Sequence, residues 1–86
     1  MELRIAYMDK ERLLSNINKL HTTKLGVERI KNNLKIDGDV VDYCKKFILD
    51  SKCEIKKVGK NYYCEKDNIF ITINSFSFTI ITAHIN

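Results

Sequence analysis

The apolar positions of this chain change period near Asp50, from the 3.6-residue repeat of helices to the two-residue repeat of strands. Before that point, Leu13, Leu14, Ile17 and Leu20 recur at helical spacing behind Asp9, a good N-cap, and predict an amphipathic helix over residues 10–20. Upstream, Leu3, Ile5 and Tyr7 alternate with Glu2, Arg4 and Ala6 as in a short strand, with a helix running on from Met1 as the alternative. Thr22 or Thr23 caps a second helix, which has Val27, Ile30 and Leu34 on one face and Glu28, Arg29 and Lys31 on the other, and ends near Leu34. Asp37-Gly38-Asp39 supplies a turn and a fresh cap. Val40, Val41, Cys44, Phe47 and Ile48 then mark a third helix over residues 40–49.

After Asp50, Cys53, Ile55, Tyr62, Cys64, Ile69, Ile71, Ile73, Phe78 and Ile80 follow strand spacing. Gly59-Lys60, Asp67-Asn68 and Ser75-Phe76 punctuate them as tight turns, and no proline interrupts the runs. With no repeat and no linker, residues 1–86 read as a single α+β domain in two layers. Three N-terminal helices are expected on one face of a C-terminal four-stranded antiparallel meander. Two-residue turns would set Lys56 opposite Tyr63, Tyr63 opposite Thr72 and Thr72 opposite Thr79. Ile55, Cys64, Ile71 and Ile80 would then form the row against the helices, and His84 would share their side. Only a bulge, or a site at the end of the sheet, would join His84 to the open-face residues.

Composition narrows the classes. Lys and Arg exceed Asp and Glu by a net charge of +4, spread along the chain, which permits a polyanionic partner without demanding one. Residues 69–86 carry no charged side chain, but asparagine, serine and β-branched residues suit a sheet interior and not a membrane span. Charges at the N-terminus oppose a signal peptide, so a cytoplasmic protein is expected. Cys44, Cys53 and Cys64 lack disulfide-framework or zinc spacing and read as buried thiols. Nothing implies a metal or cofactor. A chain this small buries a limited core, which makes a protein partner or homodimer plausible.

The candidate chemistry rests on few groups. Histidine as a residue type can take and return protons near neutrality, so His21 and His84 suit acid and base roles in phosphodiester cleavage, with Arg29 as anion stabiliser and Thr82 as a further candidate on the last strand. Lys56, Lys57 and Lys60 form the densest basic cluster, and with Tyr63, Thr72 and Thr79 offer charge, stacking and hydrogen bonds to RNA. Each has a structural alternative: His21 as a capping residue, the threonines as ordinary strand formers, the lysines as guards of an edge. Paired catalytic carboxylates, a Gly-rich phosphate loop, a nucleophile elbow and an HExxH helix are all missing from the sequence.

The runs LHTTKLGVERIKNNL (20–34) and VGKNYYCEKDNIFITINSFSFTIITAH (58–84) resemble a family of small bacterial proteins known as a domain of unknown function. Its distinctive parts here are His21-Thr22-Thr23 with Gly26 and Arg29, the Gly59-Lys60-Asn61-Tyr62 turn, and Thr79 to His84. That resemblance implies no activity. More distantly, helices followed by a meander ending in Thr-Ile-Ile-Thr-Ala resemble the barnase and RelE type of metal-independent ribonuclease, an analogy of fold. The leading expectation is an RNA-directed protein, a small endoribonuclease of toxin type. The rival is a non-catalytic binding or inhibitory module, for instance in anti-defence, acting through the C-terminal hairpin.

Overall fold

The computed structural model describes residues 2–86, with side chains from Asp9 onward. Its helices are α1 (Glu2–Ser15), α2 (Lys24–Leu34) and α3 (Val40–Leu49), with a 3₁₀ turn at Ile17–Lys19 between the first two. The strands β1 (Glu54–Val58), β2 (Asn61–Lys66), β3 (Ile69–Asn74) and β4 (Ile80–Ile85) form one antiparallel sheet in chain order. The α+β class and the meander are as expected.

Local capping explains α2 and α3. Thr23 accepts the Gly26 N–H at 3.0 Å, and α2 ends where Lys35 turns left-handed at φ 56°. Asp39 accepts the Asp42 N–H at 3.0 Å directly after Gly38, whose φ of 84° suits glycine. The first helix departs from expectation. It starts at Glu2, so Asp9 lies inside it instead of capping it, and of the two upstream alternatives the continuous helix is found and not the short strand. Glu, Leu, Arg, Ala and Met are strong helix formers, and their propensity outweighs three alternating apolar residues. The Asn16 amide bonds the Arg12 carbonyl at 2.8 Å, and the chain tightens into the 3₁₀ turn after Ser15.

The first two hairpins turn on two residues each. Gly59 has φ 60°, and Asp67 and Asn68 have φ 51° and 65°, as two-residue hairpin turns require. The third hairpin corrects the predicted Ser75-Phe76 turn, because its loop runs from Ser75 to Thr79. Asn74 Oδ1 accepts the Phe76 and Ser77 N–H groups, both at 2.9 Å, and the Asn74 carbonyl accepts the Phe78 N–H at 2.9 Å.

A bulge follows from the longer loop. Ile73 pairs with Ile80, but Thr72 pairs with Thr82, Ile71 with Ala83 and Phe70 with His84. The expected Thr72–Thr79 and Ile71–Ile80 pairings are therefore replaced, whereas Lys56–Tyr63–Thr72 and Ile55–Cys64–Ile71 hold. The extra residue also turns His84 to the side of Tyr63 and Thr72, the move that only a bulge could make.

Leu13, Ile30, Leu34, Cys44 and Ile48 from the helices share one buried cluster with Tyr62, Cys64, Ile71, Ile73, Ile80 and Ala83 from the strands. The outer edge of β4 is satisfied from α2 and the segment before it. His21 O accepts the Ile80 N–H at 2.7 Å, while Thr22 Oγ1 and Asn33 Nδ2 donate to the Ile80 and Ala83 carbonyls, each at 3.1 Å. Among the described residues, no helix is long and apolar enough to cross a membrane.

Candidate functional site

The long third loop and the segment before α2 meet at one end of the sheet. His21 forms a parallel bridge with Thr79, its N–H donating to Phe78 O at 3.3 Å. Thr22 beside it is locked to β4, and Gly26 leaves room for that threonine's hydroxyl, where a Cβ would collide. The distinctive spacing of His21, Thr22, Thr23 and Gly26 thus has a local cause: one bridge, one lock, one helix cap and one clearance.

The bridge orients the imidazole. His21 Nδ1 lies 2.8 Å from Lys19 O, and a carbonyl only accepts, so Nδ1 carries the proton. In the neutral ring Nε2 is then the acceptor, and it lies 3.1 Å from Thr79 Oγ1, whose hydroxyl can donate to it. The Ser77 hydroxyl backs Thr79 at 2.7 Å. A base with its second nitrogen fixed by a carbonyl is the arrangement that general-base catalysis needs.

Two cations share the ring of Phe78, whose carbonyl accepts the His21 N–H. Arg12 Nη1 donates to Tyr62 Oη at 2.8 Å and to Ser75 O at 2.7 Å, with its guanidinium 5.1 Å from the Phe78 ring centre. Lys19 Nζ approaches the same ring to 6.0 Å. The ring is 4% exposed and stacks on the fully buried Tyr62, and Phe78 holds a left-handed φ of 60°, which costs a bulky residue about 1–2 kcal/mol. Lys60 belongs to the same end, since its carbonyl accepts the Ser75 N–H at 2.7 Å. The described ion pairs, Lys46–Asp42 and Lys66–Asp50, include none of these cations. Two like charges on one ring, neither ion-paired among the described residues, make a positive potential suited to an anion.

The other predicted residues occupy different ground. Lys56, Tyr63, Thr72 and Thr82 form one row across the four strands, and Glu54, Glu65, Phe70 and His84 form the next. A shallow hollow of about 240 Å³ lies among them, lined by Lys56, Tyr63, Phe70 and Thr72 with both glutamates. His84 stacks on Phe70 at 5.5 Å. One lysine against two glutamates leaves this surface with a single net negative charge, which opposes phosphate binding. Lys57 lies on the opposite side of β1 and donates to Gly59 O at 3.2 Å. Five residues of strand separate Thr79 from His84, roughly 17 Å, so the histidines do not meet. Arg29 is exposed on α2 and bonds to neither of them among the described residues.

Sequence reasoning missed Arg12, whose partners lie 50 and 63 residues away. Only its place one residue before the buried Leu13 hinted that it faces the core's rim. The cysteines are free and buried: burial pushes Cys44 up to about 12, and a hydrogen bond with Cys53, then burial, pushes Cys64 up as well. Neither suits a nucleophile. No group of three metal-ligating side chains occurs among the described residues.

Residues 14–84 match the family described as a protein of unknown function, DUF3781. No curated protein and no solved structure matches the chain, so the likeness to barnase and RelE ribonucleases finds no support.

Proposed function

The chain belongs to the DUF3781 family, and we propose from the chemistry of its sheet end that it is an RNA-directed protein, a small metal-independent endoribonuclease. One observation carries the reading: an imidazole whose Nδ1 is held by Lys19 O at 2.8 Å is bridged to Thr79, the residue after Phe78, whose ring Arg12 and Lys19 share. In this reading the helices form one layer against one sheet face, and the substrate approaches from the end where the β1–β2 and β3–β4 loops meet.

The reaction needs no group beyond the chain and the substrate. Thr79 turns its hydroxyl to Ser77 and frees His21 Nε2, which takes the proton of a ribose 2′-hydroxyl. The 2′-oxygen bonds the adjacent phosphorus and the bond to the 5′-oxygen breaks. The proton on Nε2 passes to that leaving oxygen, giving a 2′,3′-cyclic phosphate and a 5′-hydroxyl. Among the described residues Arg12 bonds through Nη1, and its other N–H groups, with the Lys19 ammonium, would meet the developing phosphorane charge. The set of catalytic candidates narrows to His21, with Arg29, Thr82 and His84 outside the reaction and Lys60 as a binding residue. Lys56, Tyr63 and Thr72 would meet flanking nucleotides by stacking and hydrogen bonds more than by charge.

The rival reading, docking through the edge of the last strand, is weaker because Thr22, His21 and Asn33 already occupy backbone groups of Ile80 and Ala83. Single-stranded RNA incubated with the protein in EDTA tests the proposal. Cleavage that His21→Ala abolishes is expected, and intact RNA at high protein concentration would overturn it.

A further inference from the structure

We infer that the RNA taken by this site is single-stranded, with the base next to the bound phosphate stacked on Phe76; this deepens the proposed function and rests on it. Phe76 is 73% exposed, more than any other large apolar side chain described. A single exposed apolar residue ordinarily needs no explanation. Here three features give it one.

The ring is presented rigidly. Its own N–H is held by Asn74 Oδ1 at 2.9 Å, and the exposed tip Phe76-Ser77 is flanked by buried residues, Ser75 at 1% and Phe78 at 4% exposure. Two backbone bonds of 2.9 Å, Asn74 N to Thr79 O and Phe78 N to Asn74 O, close the loop beneath it. A loop tip fixed at both shoulders loses little further freedom on binding. The loop that carries it bears the right charge, because Arg12 bonds the carbonyl of Ser75, the residue before Phe76, at 2.7 Å, and Thr79 at the loop's end lies 3.1 Å from His21 Nε2. The side chains around it also select the ligand. An exposed aromatic beside cations and hydroxyls recognises a flat π-face attached to a phosphate, which is a nucleotide with its base unstacked. In a duplex the bases are stacked on each other and withheld, so a helical RNA offers only its phosphates.

Anisotropy titration of a fluorescein-labelled single-stranded 2′-O-methyl RNA dodecamer, which lacks the attacking hydroxyl and stays intact, and of the same strand in duplex, reads the inference directly. The wild type should bind the single strand more tightly than the duplex. Phe76→Ala should weaken single-strand binding roughly five- to one-hundredfold, the range for losing one stacked base, and leave duplex binding and the thermal midpoint unchanged. Phe76→Trp should retain the affinity. Equal binding of single strand and duplex, or a Phe76→Ala variant that binds the single strand as the wild type does, would overturn the inference while leaving the proposed function standing. A wild-type protein that neither binds nor cleaves RNA would overturn both.

Discussion

Replacing Gly26 by alanine sets two effects of opposite sign against each other. Gly26 lies in the first turn of α2, where alanine is favoured over glycine by at most about 1 kcal/mol from propensity alone. Against that gain stands Thr22, whose hydroxyl occupies the space of the added Cβ while donating to the Ile80 carbonyl at 3.1 Å. Turning the hydroxyl away leaves that carbonyl without its partner, a loss of about 1–3 kcal/mol. Keeping it forces a shift of backbone at similar cost. The balance is a net destabilisation centred on about 1 kcal/mol and reaching about 2 kcal/mol. Urea denaturation followed by circular dichroism measures it. The pair Thr22→Ala with Gly26→Ala should be more stable than the sum of the two single changes, since the obstructing hydroxyl is gone. A Gly26→Ala protein as stable as the wild type would refute the reasoning, and with it the account of how His21 is held against Thr79.

Other outcomes follow from the same contacts. Phe78→Ala should lose about 3–5 kcal/mol of stability, whereas Phe78→Gly should lose about 1 kcal/mol less, because glycine carries no penalty at φ 60°; thermal or chemical unfolding of the two compares them. Above the ordinary thiol value of 9.0 the unfolded chain releases the Cys44 proton, while the folded chain keeps it up to about 12. The unfolded state then binds fewer protons, so stability falls as pH rises through that window, by up to about 4 kcal/mol, and Cys44→Ala should flatten the fall in urea titrations. The Asp50 carboxyl is held below its ordinary 3.8 by the Lys52 N–H and then by Lys66. Its contribution is present above that value and lost as pH drops through the lowered one, and Asp50→Asn should remove that part of the acid limb.

Much of the fold is legible in the sequence where its causes are local. Thr23, Gly38-Asp39, Gly59 and Asp67-Asn68 act within a few residues of themselves, and the elements they bound appear where the pattern puts them. The last hairpin departs because a local turn has more than one length open to it. Asn74 holds Phe76 and Ser77 through its side chain and Phe78 through its carbonyl in a longer loop, which slips the register of β4 and turns His84 to the other face. Period-two reasoning has no means of seeing one extra residue. The site was half legible for a different reason. His21 stands out by residue type, but the neighbours that orient it and charge its surroundings, Thr79 and Arg12, come from 58 residues further along and from a helix with no local mark.

His21, bridged to Thr79 next to the Phe78 whose ring Arg12 and Lys19 share, is the centre of the account, and RNA end chemistry examines it most directly. Wild-type protein incubated in EDTA with a single-stranded RNA should leave fragments ending in 2′,3′-cyclic phosphate, at a rate that His21→Gln lowers by roughly two to four orders of magnitude. A folded wild-type protein that leaves the RNA intact, or a His21→Gln variant that cleaves at the wild-type rate, would contradict it.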